Sequence, residues 1–135
     1  MTDFQTAPIT EVVKSILADG VIDDAEVTQL RNRLYADSKI DKDEADALFE
    51  INEGVKGKKN SDAWTTLFAD AICDFLLKDE ISPGIVDDSE GAWLIQKLEG
   101  DGEIDENEKA LLNALKTKAI SLPANLNTKL KTWGV

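Results

Sequence analysis

Asp19-Gly20-Val21-Ile22-Asp23-Asp24-Ala25-Glu26 and Asp101-Gly102-Glu103-Ile104-Asp105-Glu106-Asn107-Glu108 are two copies of one pattern. Each runs acidic residue, two others, a branched aliphatic, Asp, two others, Glu. A third copy is Asp37-Ser38-Lys39-Ile40-Asp41-Lys42-Asp43-Glu44, and Gly84-Ile85-Val86-Asp87-Asp88-Ser89-Glu90 keeps the second half of the pattern. Around the copies, apolar residues recur at helical spacing: Ile9, Val12, Val13, Ile16 and Leu17 before the first, Val27, Leu30 and Leu34 after it. Short acidic turns between amphipathic runs predict helix, tight turn, helix. No stretch alternates with period two for long enough to predict a strand, so the expected class is all-α.

Working outward gives about seven helices. The first stops at Asp19-Gly20; the second runs from Asp23 to about Asp37-Ser38; the third starts at Asp41 and carries Ala45, Leu48, Phe49 and Ile51. The polar stretch Gly54 to Asn60, with Lys56, Lys58 and Lys59, reads as a solvated connection. Ser61 is the expected N-cap of a fourth helix bearing Trp64, Leu67, Phe68, Ala71, Ile72, Phe75 and Leu76. Pro83-Gly84 breaks the chain. Helices then start at Asp87 and Asp105, and Pro123 opens a short last one, about 123–133. Adding 64 to a number in the first half finds its counterpart in the second: Gly20 and Gly84, Asp23 and Asp87, Glu26 and Glu90, Leu30 and Leu94, Asp41 and Asp105, Glu44 and Glu108. These gapless matches predict a tandem duplication with halves at about 8–53 and 61–118. Each half alone leaves an apolar face uncovered, so residues 1–135 are expected to form a single domain.

Composition narrows the function. Fifteen basic against 27 acidic residues give a net charge of −12, with no histidine and one cysteine. There is then no Ser-His-Asp triad, no imidazole or thiolate metal site and no internal disulfide. The charge opposes binding to nucleic acid or anionic membranes and favours cations or basic proteins. No apolar run suits a membrane span, and Met1 to Pro8 lacks a signal-peptide pattern, so a cytoplasmic protein is expected. No carboxylate has a visible companion nucleophile, and no catalytic residue or enzymatic activity is expected.

Two kinds of chemistry fit the repeated motif. Asp-x-x-Glu before an amphipathic run has the spacing of a capping box: the Asp accepts from first-turn N–H groups and the Glu reaches back to the cap N–H. Asp23, Asp41, Asp87 and Asp105 would be the caps, each with its Glu three residues on. The preceding aliphatic fits a hydrophobic staple, with Val27 or Ala45 as partner in two copies but Gly91 or Lys109 in the others. The motif also fits the back half of an EF-hand calcium loop, which takes Gly at position 6 and ligands at positions including 5, 9 and 12. With Glu26 at 12, Asp19 falls at 5, Gly20 at 6 and Asp23 at 9; Asp101, Gly102, Asp105 and Glu108 align likewise. Asp37, Asp41 and Glu44 align with Ser38 in place of Gly. Asp79, Asp87 and Glu90 align at positions 1, 9 and 12 of the remaining copy. The front halves disagree: Leu17, Arg33, Tyr35, Lys97, Ile81 and Pro83 stand where ligands belong. With water filling the remaining positions, calcium or another divalent cation would bind weakly, with a dissociation constant on the order of 10⁻⁴–10⁻³ M.

The repeated Asp-Gly-x-Ile-Asp-x-x-Glu turns between helices of an acidic chain this size resemble the TerB-like tellurite-resistance domain family. The resemblance covers nearly the whole chain and rests on a motif shared with EF-hand relatives. It implies a helical fold, divalent-metal binding and a role in bacterial stress or phage-defence systems. It implicates Asp19, Asp23, Glu26, Asp37, Asp41, Glu44, Asp101, Asp105 and Glu108, and less securely Asp87 and Glu90, where Pro83 replaces the first Asp.

The expected function is therefore a non-enzymatic acidic module that binds divalent cations weakly and acts through a protein partner, for which the charge favours a basic one. Alternatives are an acidic decoy that mimics DNA before a basic protein, or a structural interaction module with capped helices and no metal. Cys73 reads as a buried structural thiol and Trp64, Trp93 and Trp133 as core, with a partly exposed docking point the alternative for Trp133. Asp70 and Asp74 read as a solvated face, with Lys78 pairing Asp74.

Overall fold

The Asp-x-x-Glu motifs mark four helix starts. The computed structural model describes residues 7–36, 40–55, 62–77, 84–99 and 104–134. Among them are seven α-helices: α1 (Ile9–Asp19), α2 (Asp24–Leu34), α3 (Lys42–Val55), α4 (Asp62–Leu77), α5 (Asp88–Glu99), α6 (Glu106–Lys118) and α7 (Ala124–Trp133). The class is all-α. α2 and α5 begin 64 residues apart, as do α3 and α6.

α1 closes on Gly20, whose φ of 77° lies in the left-handed region that glycine enters without a Cβ penalty. Its amide bonds back to Ile16 and Leu17 carbonyls, and the chain turns directly into the Asp23 cap of α2. α2 is shorter than its pattern suggests. It ends at Leu34, with the Tyr35 N–H on the Arg31 carbonyl, because Tyr35 turns toward α4. Pro123 is the cap of α7 and not its first helical residue.

α4 packs most extensively on α6, and α1 on α3; α4 also touches α2 and α3 and thereby joins the two helix sets. One apolar cluster fills the centre, including Ile16, Leu30, Leu48, Ile51, Trp64, Phe68, Leu76, Leu94 and Leu112. Phe49 meets Phe68 and Trp93 edge-on, with ring centroids 5.1 and 5.6 Å apart, and Phe75 closes on Trp93 at 5.2 Å. Only Trp64 of the three tryptophans is fully buried. Trp93 and Trp133 lie at the margin of the core, each half-covered.

α7 packs on α5. Gly91 explains how: a Cβ there would meet Pro123 Cγ at 2.6 Å and Asn125 Oδ1 at 2.8 Å. The residue that breaks the staple pattern in this copy is where α7 crosses. A parallel bridge between Ile85 and Ser121, with bonds from Val86 N to Ser121 O (3.1 Å) and from Ile120 N to Gly84 O (2.7 Å), ties down the approach to α7. Among the described residues, no helix is long and apolar enough to cross a membrane.

Candidate functional site

All four Asp–Glu motifs form reciprocal caps. Glu26 N donates to Asp23 Oδ1 at 2.8 Å and Asp23 N to Glu26 Oε1 at 3.2 Å. The corresponding pairs measure 2.8 and 3.1 Å for Asp41 and Glu44, 2.7 and 3.1 Å for Asp87 and Glu90, and 2.7 and 3.0 Å for Asp105 and Glu108. Each box satisfies two backbone donors that a helix start leaves open. Each also sets two carboxylates against the positive end of a helix dipole. That positive end competes with any cation for the same oxygens. Asp19 is the last residue of α1 and exposed. Asp37, Asp79 and Asp101 lie outside the described residues, as do Lys56, Lys58, Lys59, Ser61, Lys78 and Pro83.

The four boxes differ in depth. Glu108 is only 4% exposed and Glu44 8%, whereas Asp23 and Asp87 face solvent. The fourth box anchors a polar network in the core. Asp105 Oδ2 accepts from Asn52 Nδ2 at 2.9 Å. Asn52 Oδ1 accepts from Trp64 Nε1 at 3.2 Å and from Asn107 Nδ2 at 2.9 Å, and the Thr65 hydroxyl donates to Asn107 Oδ1. Asn52 is 3% exposed, and the network links α3, α4 and the start of α6. Neither Asn52 nor Asn107 stood out in the sequence. The available signal was an amide inside the apolar run Leu48, Ile51 and Val55.

In the first box, the Glu26 carboxyl is held above its ordinary range. Burial is the main cause; the Asp23 N–H bond pulls the other way, and the charges of Asp23 and Asp19 push further up, with Asp19 also hydrogen-bonded to it. Three carboxylates thus crowd the turn around Gly20.

No protein-family model, curated protein or solved structure matches this chain.

The donor sets can still be tested against a divalent cation. Among the described residues, no three Asp, Glu or Cys side chains are arranged to hold a metal ion. In the fourth copy Asp105 has both oxygens engaged and Glu108 is buried, so that pair does not fit a metal without dismantling the network. Among the described residues, Asp19 adds negative charge to the first copy.

A second polar cluster corrects the expectation for α4. Asp70 is not simply solvated: Arg31 of α2 reaches it at 3.5 Å and Lys118, last residue of α6, at 3.3 Å. Asp74 accepts the Tyr35 hydroxyl. Burial raises the Tyr35 phenol well above its ordinary value, and the Asp74 hydrogen bond and charge raise it further, against a smaller opposing effect of Arg31. Cys73, between them in sequence, is fully buried, and burial pushes its thiol up to about 12. A thiol this far from ionisation is a packing group.

Proposed function

We propose that this protein is a non-enzymatic, acidic helical binding module that acts through a basic protein partner. One observation carries this: the four repeated Asp–Glu pairs are all engaged as helix caps. The motif therefore serves a rigid helical scaffold, and recognition falls to the surface, where the net charge of −12 favours cationic partners. The test is fluorescence anisotropy of a labelled lysine-rich peptide against the full chain at rising salt. Saturable binding that weakens with salt is expected, with no comparable binding of an acidic peptide. Absence of binding at low salt would refute the proposal.

A second reading rests on Glu26. Asp19, Asp23 and Glu26 are not arranged to hold a metal as they stand, but their mutual repulsion would be relieved if the side chains turned toward a weakly bound divalent cation at the first turn, in keeping with the TerB-like resemblance. Titration of the chelator-stripped protein with calcium, followed by amide NMR, tests it. Saturable shifts around Gly20 that vanish in Glu26→Gln support the site, since Gln can keep the capping box but carries no charge. Diffuse, salt-like shifts overturn it.

A further inference from the structure

We infer that α7 is a strap that leaves its seat on α5 by local unfolding while the other helices stay folded, and that a basic amphipathic helix of the partner takes the vacated seat. The inference rests on the proposed binding-module function and names its site and its occupant. α7 itself shows what the seat accepts. Asn125 Nδ2 donates to the Asp88 carbonyl at 3.3 Å, Pro123 and Asn125 lie over Gly91, and Lys129 reaches Glu99 at 3.0 Å. Asp88, Gly91, Ile95 and Glu99 fall at i, i+3, i+7 and i+11 and so share one face of α5. On α7 the buried Leu126 and Leu130 and the half-covered Trp133 stand at i, i+4 and i+7. Residues 119–135 hold Lys129 and Lys131 and no acid, whereas all 27 acidic residues and 13 of the 15 basic ones lie in 1–118. The strap is thus a basic helix held by an acidic body, the pattern that the body's charge favours in a partner.

The repeat shows why this seat opens. Subtracting 64 turns Asp88, Gly91, Ile95 and Glu99 into Asp24, Val27, Arg31 and Tyr35. Two members of that row bond to α4: Arg31 reaches Asp70 and Tyr35 donates to Asp74. α4 and α7 therefore cover matching faces of the two halves. α4 has 16 residues, eight of them buried, and its other sides pack on α3 and α6. α7 has ten residues and two buried ones, packs chiefly on α5, and turns Thr128, Lys131 and Thr132 to solvent. A helix with few buried apolar residues and a wet far side opens ahead of the core.

Hydrogen exchange of the full chain tests the strap. Amides of α7 are expected to exchange at least a hundredfold faster than those of α4, through an opening that leaves α4 protected. The probe for the seat is a fluorescein-labelled synthetic peptide of residues 119–135, read by anisotropy. It competes with the chain's own α7 and is expected to bind the wild type weakly. Leu130→Ala in the chain loosens that competitor and is expected to tighten peptide binding at least tenfold. Adding Gly91→Ala is expected to cancel the gain, since a Cβ there meets Pro123 of strap and peptide alike. A peptide carrying Lys129→Glu and Lys131→Glu is expected to bind at least tenfold more weakly. Circular dichroism checks the fold of each variant. Exchange of α7 and α4 at one rate, equal peptide binding by wild type and Leu130→Ala, or a gain that survives Gly91→Ala overturns the strap; the acidic binding module still stands if the lysine-rich peptide binds. Binding of neither peptide overturns both.

Discussion

Asp105→Ala should cost far more than Asp23→Ala, although the two residues occupy the same motif position. At Asp23 the substitution removes a solvent-facing cap, worth about 1 kcal/mol. At Asp105 the same cap bond is lost, and the Asn52 amide, 2.9 Å from Oδ2, is left as a donor without its acceptor in a residue only 3% exposed. An unsatisfied buried donor adds roughly 1–3 kcal/mol, for a total of about 2–4 kcal/mol. Asparagine sharpens the contrast. Asn is as good a cap as Asp, so Asp23→Asn should be close to neutral. Asp105→Asn instead sets an NH₂ against the Asn52 NH₂. Asn52 cannot flip to accommodate it, because its own oxygen already accepts from Trp64 and Asn107. Urea denaturation of the four variants, with a common slope, gives the comparison. If Asp105→Ala and Asp23→Ala agree within about 0.5 kcal/mol, the scale on which separate sites normally add, the network carries no weight and the reasoning fails.

Glu26→Gln should leave stability at neutral pH equal or higher. A carboxyl whose folded pKa is raised contributes stability fully present below its unfolded value of 4.5 and lost as pH rises through the folded value. The variant should therefore lose that part of the pH dependence, as thermal melts across the window just above 4.5 would show. Gly91→Ala should destabilise by about 1–3 kcal/mol through overpacking against Pro123, reversing the roughly 1 kcal/mol that Ala gains over Gly in a helix; calorimetry decides the sign. Tyr35 is the single tyrosine, so phenolate absorbance isolates it. No ionisation should develop at the ordinary value of 10 while the chain is folded. Because the folded phenol is raised, its contribution is complete below 10 and lost above, so alkaline unfolding should begin there and come earlier in wild type than in Tyr35→Phe once the Phe variant's loss of the Asp74 bond is normalised.

The local features were legible and the long-range ones were not. Asp-x-x-Glu followed by apolar residues at helical spacing places the starts of α2, α3, α5 and α6 because capping involves only residues three apart. The same spacing fits half a calcium loop, so sequence alone could not separate cap from ligand. Gly91 read as a failed staple because the helix that crosses it begins 33 residues later, at Ala124. Asp70 and Asp74 read as solvated because their partners come from elsewhere in the chain: Arg31 from α2, Tyr35 from just after it and Lys118 from α6. Asn52 gave no hint of its role, since Asp105 lies 53 residues away.

The Asn52 network also distinguishes one half of the chain from the other. In a sequence whose positions match at a spacing of 64, either half could in principle pair with a second copy of itself and exchange segments between molecules. Asn52 has Lys116 as its counterpart, and Asn107 has Asp43. A first half paired with itself would offer Asn52 an acceptor-only Asp43 where Asn107 now donates. A second half paired with itself would bring Lys116 to the place of a buried amide. Either mispairing leaves polar groups stranded in the core. The network thus acts as a key that favours pairing of a first half with a second half over pairing of either half with its own like.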